Sequence, residues 1–250
     1  MAHPVWSWGC VWLAFAASAI SSEPLPPWET IETEFGPLRI REIGVPEGPF
    51  VVLIHDKPDT EFVRNEWNSV ALQLGSASFH VLIPDLHSAP EVLRPGKLTG
   101  ETLREVFSRT LCSRNRMIPA RYHSVIRPKA IVMGSSWGAD MAAEVAALDD
   151  VVAVALVSPQ TGASGAEHLR SLQNIQGRVA VALTKTSPLT DGKVLDLASA
   201  KQQIESAATG LDIQWIEADA GGHGVISNFE LPLVEFAESA RELFVHGGEL

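Results

Sequence analysis

Two serines stand side by side in "AIVMGSSWGAD" (Ala130–Asp140), between an apolar run and a string of small residues. Gly134-Ser135-Ser136-Trp137-Gly138 fits Gly-x-Ser-x-Gly, with Ser136 at its centre. Serine and glycine are mediocre in strands and helices, so their clustering here points either to an ordinary loop or to a sharp turn with one hydroxyl outermost. The flanking glycines let a strand and a helix approach without Cβ clashes. Such a hydroxyl suits nucleophilic chemistry, but at neutral pH it needs a base to take its proton. Of eight histidines, His223 in "QWIEADAGGHGVI" stands in a glycine-rich loop directly after a strand pattern, where such a base belongs. His55, His80, His87 and His123 lie within or beside strands, or in segments ahead of the serine, and read as structural or solvated.

The elements that must hold these residues alternate along the chain. "LRIREIGV" (Leu38–Val45) reads as a half-buried strand. "FVVLIHD", "FHVLIPD", "KAIVMGS", "VVAVALVS", "RVAVALT" and "DIQWIEA" follow, mostly continuous and rich in valine and isoleucine. Runs of that kind are expected of parallel strands covered on both faces. Helix patterns fill the intervals, among them "EFVRNEWNSVALQLG", "TGETLREVFSRTL", "ADMAAEVAAL", "LASAKQQIESAATG" and "LPLVEFAESARELFV". The rhythm predicts an α/β fold with a mostly parallel central sheet and helices on both faces. Ligands of open α/β sheets bind beyond the carboxyl ends of the strands, which is where both Ser136 and His223 fall.

With the strand before it and the helix after it, the chain resembles the α/β-hydrolase superfamily from about Leu38 to the C-terminus. The resemblance rests on "VVLIHD" at the oxyanion loop, "VLIPDL" at the next strand, "GSSWGA" at the nucleophile elbow and "GGHGV" at the histidine loop. It implies Ser136 as nucleophile and His223 as general base and acid. It also implies the backbone N–H groups of Trp137 and Lys57 as oxyanion donors. Asp56 replaces the family's usual glycine, and a carboxylate beside a developing oxyanion is unhelpful unless it points away. Pro58 has no N–H and cannot stand in for Lys57. The family places its triad acid just past the strand that here reads "RVAVALT", often before a proline. This chain has Ser187 before Pro188, and Asp191 is the nearest carboxylate, with Asp219 a second candidate. An Asp-Gly turn is the competing reading of Asp191.

Composition bounds the rest. The 250 residues are 46% hydrophobic and 20% charged, enough for one sizeable core over residues 38–250. A net charge of −11 argues against a nucleic-acid partner. Two cysteines, Cys10 and Cys112, exclude a disulfide framework and a cysteine-rich zinc site, and no cofactor or metal is expected. The start, "MAHPVWSWGCVWLAFAASAISSEPLPPW", has an apolar run and then Ala17-Ser18-Ala19, small residues suited to signal cleavage. Residues 1–22 are therefore expected to be a signal peptide, making the protein secreted or lumenal. A membrane anchor or a packed N-terminal helix is the alternative, and an anchor would be the chain's one membrane contact. Residues 23–37 then form a linker and first-strand region.

The connection Pro159–Gly177 has room for one helix and no cap domain. Arg114, Arg116, Arg121, Arg127 and Lys129 in the longer excursion before Ala130 read as a solvated crossover, or as a rim for an anionic group. Trp137, Phe62 and Trp67 are candidate walls of an acyl pocket. The expectation is a lidless serine hydrolase that cleaves a carboxylic ester or thioester of a small or accessible acyl substrate. The alternative is a hydrolase-fold binding or scaffold protein, which Asp56 and Ser187 favour. A transferase passing the acyl group to an acceptor other than water would use the same residues.

Overall fold

β-Branched side chains suit a pleated surface buried on both sides, and the valine- and isoleucine-rich runs build one eight-stranded sheet. The computed structural model describes residues 25–111, 114, 129–161, 163–185, 188–189, 193–194, 196–219 and 226–245. In chain order the elements are β1 (Glu29–Thr33), β2 (Gly36–Gly44), β3 (Phe50–Ile54), α1 (Glu61–Asn65), α2 (Asn68–Ser76), β4 (His80–Asp85) and α3 (Gly100–Val106). Then come β5 (Ala130–Ser135), α4 (Trp137–Val145), β6 (Val151–Val157), α5 (Ala163–Arg170) and β7 (Arg178–Thr184). The two-residue strands β8 (Pro188–Leu189) and β9 (Lys193–Val194) form a separate hairpin. α6 (Leu197–Ala207), β10 (Ile213–Ala218), α7 (Glu230–Ala240) and α8 (Glu242–Val245) complete the order.

The sheet runs β1-β2-β4-β3-β5-β6-β7-β10. β2 is antiparallel to both its neighbours, and every pair from β4 to β10 is parallel. From β3 the chain turns one way to β4 and later the other way to β5, so the strand order reverses between β3 and β5. Loops leaving those two strands diverge and open a crevice, the usual ligand position of such sheets. β3 and β4 pair only from Phe50↔His80 to Val52↔Leu82. Pro84 has no N–H with which to extend that ladder toward the crevice.

Alternation along the strands divides the core between the two faces. Val52, Ile54, Val132 and Leu156 pack on one face with Trp137, Ala139, Ala142 and Ala143 of α4. Val51, Leu53, Ile131 and Met133 pack on the other with Trp67, Leu74, Phe229 and Phe236. The small residues on α4 let it sit close to β5, whose members are all buried. Thr60, Thr99 and Asp196 cap α1, α3 and α6 by accepting from Val63, Thr102 and Ser199 N–H groups.

The architecture is the expected α/β fold, with differences in detail. The single helix pattern Glu61–Gly75 is two helices, broken at Glu66 and Trp67. Trp67 is buried there and its indole N–H donates to the Ile54 carbonyl (3.0 Å). The short connection after β6 holds α5 and one 3₁₀ turn, Ser171–Asn174. The expected signal or anchor segment lies outside the described residues. No helix among the described residues is long and apolar enough to cross a membrane.

Candidate active site

Ser136 joins β5 to α4 with φ 51° and ψ −116°, a conformation costly for any residue with a Cβ. Its N–H donates to the Val157 carbonyl (2.8 Å), and its own carbonyl accepts from Ala139 N–H (3.0 Å). Two glycines make this turn sterically feasible. A Cβ on Gly134 would overlap the Gly138 carbonyl, and one on Gly138 would overlap the carbonyls of Ile54 and His55. The strain at Ser136 is thus held by close packing of β5, α4 and the end of β3.

The neighbouring serines have different surroundings. Ser135 is fully buried and its hydroxyl donates to Glu66 Oε1. The same Glu66 oxygen accepts from the Asp56 N–H (2.9 Å), so it ties the end of β5 to the loop after β3. Burial pushes the Glu66 carboxyl up to about 8, although both donors favour its charged form. Asp140, in the first turn of α4, is likewise pushed up to about 7 by burial, against the opposing pull of His168 and the Gln160 N–H (3.2 Å). Neither acid stood out in the sequence. The signal for Glu66 was its place beside Trp67 in a helix pattern that had to break. The signal for Asp140 was an acid in an otherwise small, apolar helix.

The loop after β3 is pinned from several directions. His55 Nε2 accepts from Leu86 N–H (3.0 Å) and its Nδ1 faces the Asp56 carbonyl (2.7 Å), which places the ring proton on Nδ1. Burial lowers the ring to about 4, so it is neutral and structural. His87 stacks on it at 4.5 Å between centroids. Asp56 does not point away. Its Oδ1 accepts from Trp137 N–H (3.2 Å) and from Lys57 N–H (2.6 Å). Those are the two groups expected to act as oxyanion donors, and both are bonded to one carboxylate oxygen.

His223 and Asp191 lie outside the described residues, as do Ser187, Cys112, His123, Arg116, Arg121 and Arg127. Asp219 is exposed and ion-paired with Lys185. Trp67 is buried in the core on the sheet face opposite Trp137. Phe62 is largely exposed, on α1. Within the basic excursion, Arg114 is ion-paired with Glu42 (2.5 Å), and the Lys129 ammonium donates to the Leu243 carbonyl (2.5 Å). A polar cleft of about 610 Å³ opens beside α1 and sets Arg39, Arg41 and Arg64 against Asp59, Glu61 and Asp85, with Ser136 absent from its wall. Among the described residues no cluster of three or more His, Cys, Asp or Glu side chains could hold a metal ion.

A mostly parallel sheet reversing at β3, with an elbow serine between β5 and α4, defines the α/β-hydrolase fold. No family model matches the chain, and no curated protein sequence matches it significantly. Solved structures do. The thioesterase domain from the curacin biosynthetic pathway is similar with a TM-score of 0.61 at 15% identity, covering 84% of this chain and 98% of that one. Naproxen esterase (carboxylesterase NP) from Bacillus subtilis gives 0.62 at 14%, covering 86% and 92%. A serine hydrolase without lid from Xanthomonas campestris gives 0.58 at 14%, covering 88% and 97%. At these identities the likeness defines the fold.

Proposed function

We propose that the protein is a serine hydrolase acting on carboxylic esters or thioesters of small or accessible acyl groups, without a cofactor. The observation that carries this reading is the strained Ser136 turn at the sheet's switch point, maintained by two glycines that admit no Cβ. Strain of this kind persists where the surroundings over-determine it, and a nucleophile elbow is one such use. In the proposed reaction His223 takes the Ser136 proton as Oγ bonds the substrate carbonyl carbon and the π pair moves to oxygen. Collapse expels the alcohol or thiol, protonated by His223, and leaves an acyl-enzyme. Water, deprotonated by the same imidazole, then releases the carboxylic acid and restores Ser136. Asp191 is assigned to orient the imidazole. Export through residues 1–22 belongs to the same proposal.

A fluorophosphonate probe tests the chemistry. Ser136 should be labelled on folded protein, Ser136→Ala should abolish labelling, and Ser135→Ala should retain a labelled residue 136. Turnover of p-nitrophenyl acetate should fall by several orders of magnitude in Ser136→Ala. A second reading, a binding module of the same fold, draws support from the Asp56 carboxylate on both donors. Absence of labelling in the native chain and in Asp56 variants alike would favour it.

A further inference from the structure

We propose that the Asp56 carboxylate is the resident occupant of the oxyanion pocket and thereby sets the reactivity of Ser136. The inference rests on the hydrolase reading. Its basis is geometric: one oxygen, Oδ1, takes the Trp137 N–H at 3.2 Å and the Lys57 N–H at 2.6 Å. An anionic oxygen on two backbone donors beside the elbow reproduces the charge and contacts of a tetrahedral oxyanion. Hydrogen bonds to an ionised acceptor are about twice as strong as neutral ones, so a substrate carbonyl, being neutral, competes poorly for the same donors.

The carboxylate is delivered by a fixed backbone. Asp56 N–H donates to Glu66 Oε1 (2.9 Å) and Asp56 C=O faces His55 Nδ1 (2.7 Å). Glu66 is anchored in turn by the Ser135 hydroxyl, and His55 by Leu86 N–H. Leaving the pocket therefore requires rotation of the Asp56 side chain, with the loop in place. A carbonyl oxygen that gains negative charge beside an unrotated carboxylate meets like charge at short range. Slow acyl transfer and selectivity for substrates able to displace the carboxylate follow from the same contact.

The experiment compares the full chain with Asp56→Ala and Asp56→Asn. Freeing the donors should raise both fluorophosphonate labelling and p-nitrophenyl acetate turnover at least about tenfold in Asp56→Ala. The upper bound is the roughly hundred- to thousandfold worth of an oxyanion donor. Asp56→Asn should fall between, since its amide oxygen keeps the contacts without the charge. Added acetate should slow labelling of Asp56→Ala and leave the native chain unaffected. An Asp56→Ala protein that reacts no faster than the native chain overturns the proposal.

A second arm needs no catalysis. In a Ser136→Ala background, the Trp137 and Lys57 amide resonances should move upfield on Asp56→Ala and return with acetate. Resonances that stay in place overturn the proposal. Amides that move, with no variant labelled at Ser136, overturn the hydrolase reading and the rate claim with it, and leave the carboxylate on its donors.

Discussion

The elbow after β5 and the loop after β3 lie against each other at the switch point, yet different forces hold them. At the elbow the constraint is steric: Gly134, Ser136 and Gly138 are fixed by backbone packed on backbone, and a single Cβ at either glycine would collide with a carbonyl. At the β3 loop the constraint is polar: His55, Asp56 and Glu66 are fixed by hydrogen bonds, and Asp56 reaches its partners with a side chain. Sterically fixed positions tolerate almost no substitution. A side chain on a pinned backbone is free to vary chemically without disturbing the fold. The residues accord with that difference: the elbow has glycine on both sides of its serines, while the loop after β3 carries an aspartate side chain.

Substitution on each side separates the steric constraint from the polar one. Gly138→Val forces a branched side chain into the carbonyls of Ile54 and His55, so β3 and α4 must separate. The expected cost is about 3 kcal/mol or more, read as a lowered urea midpoint or as failure to fold. Asp56→Ala should change stability by no more than about 1 kcal/mol, because its side chain is partly exposed and its backbone contacts remain. Equal losses in the two variants would show that the loop is as sterically committed as the elbow.

Glu66 joins the two regions and makes their connection sensitive to pH. Its carboxyl rises from 4.5 to about 8 in the folded chain because burial penalises the charged form. Between those values the unfolded chain loses this proton while the folded chain keeps it. Unfolding then releases a proton, and stability falls as pH rises, by up to about 1.4 kcal/mol per pH unit, until it levels above about 8. Glu66→Gln preserves an oxygen for Ser135 and Asp56 but cannot ionise. Its unfolding free energy, measured by urea at a series of pH values, should lack this slope. A native chain with the same slope as the variant, which keeps the Asp140 contribution below about pH 7, would mean that Glu66 is charged when folded.

What was legible in the sequence follows the range of the forces involved. Continuous strands such as "VVAVALV" (Val151–Val157) announce burial on both faces, and Gly-x-Ser-x-Gly announces the turn because its steric requirement is met within five residues. β1, with its mostly exposed pattern, gives a weaker signal that suffices only for a first-strand region. The break at Glu66–Trp67 was hidden because its causes are distant in sequence. They are the Ile54 carbonyl for the indole, and Ser135 with the Asp56 N–H for the carboxyl. Asp56 was recognised as an anomaly, but the direction of its side chain depends on Trp137, 81 positions away. Short-range geometry can be read from neighbouring residues, whereas a rotamer settled across the switch point cannot.

The smallest expected effect concerns the acid that would serve His223. Asp219 follows β10 and is close to His223 in sequence, which recommended it as a second candidate. In the structure its side chain is 88% exposed and ion-paired with Lys185. Lys185 N–H also donates to the Ala218 carbonyl (3.2 Å), so cation and carboxylate are held side by side at the end of the β7–β10 pair. Contact with Lys185 lowers the Asp219 carboxyl below its ordinary value, yet an ion pair so exposed contributes little to the fold. A carboxylate neutralised by a lysine is a poor partner for an imidazolium, because the lysine opposes the charge it would stabilise. Asp219→Asn should therefore leave both the melting temperature and the rate of Ser136 labelling unchanged. A fall in labelling at unchanged melting temperature would mean that Asp219 exchanges Lys185 for His223 during reaction, and would transfer the acid's role from Asp191 to the β10 loop.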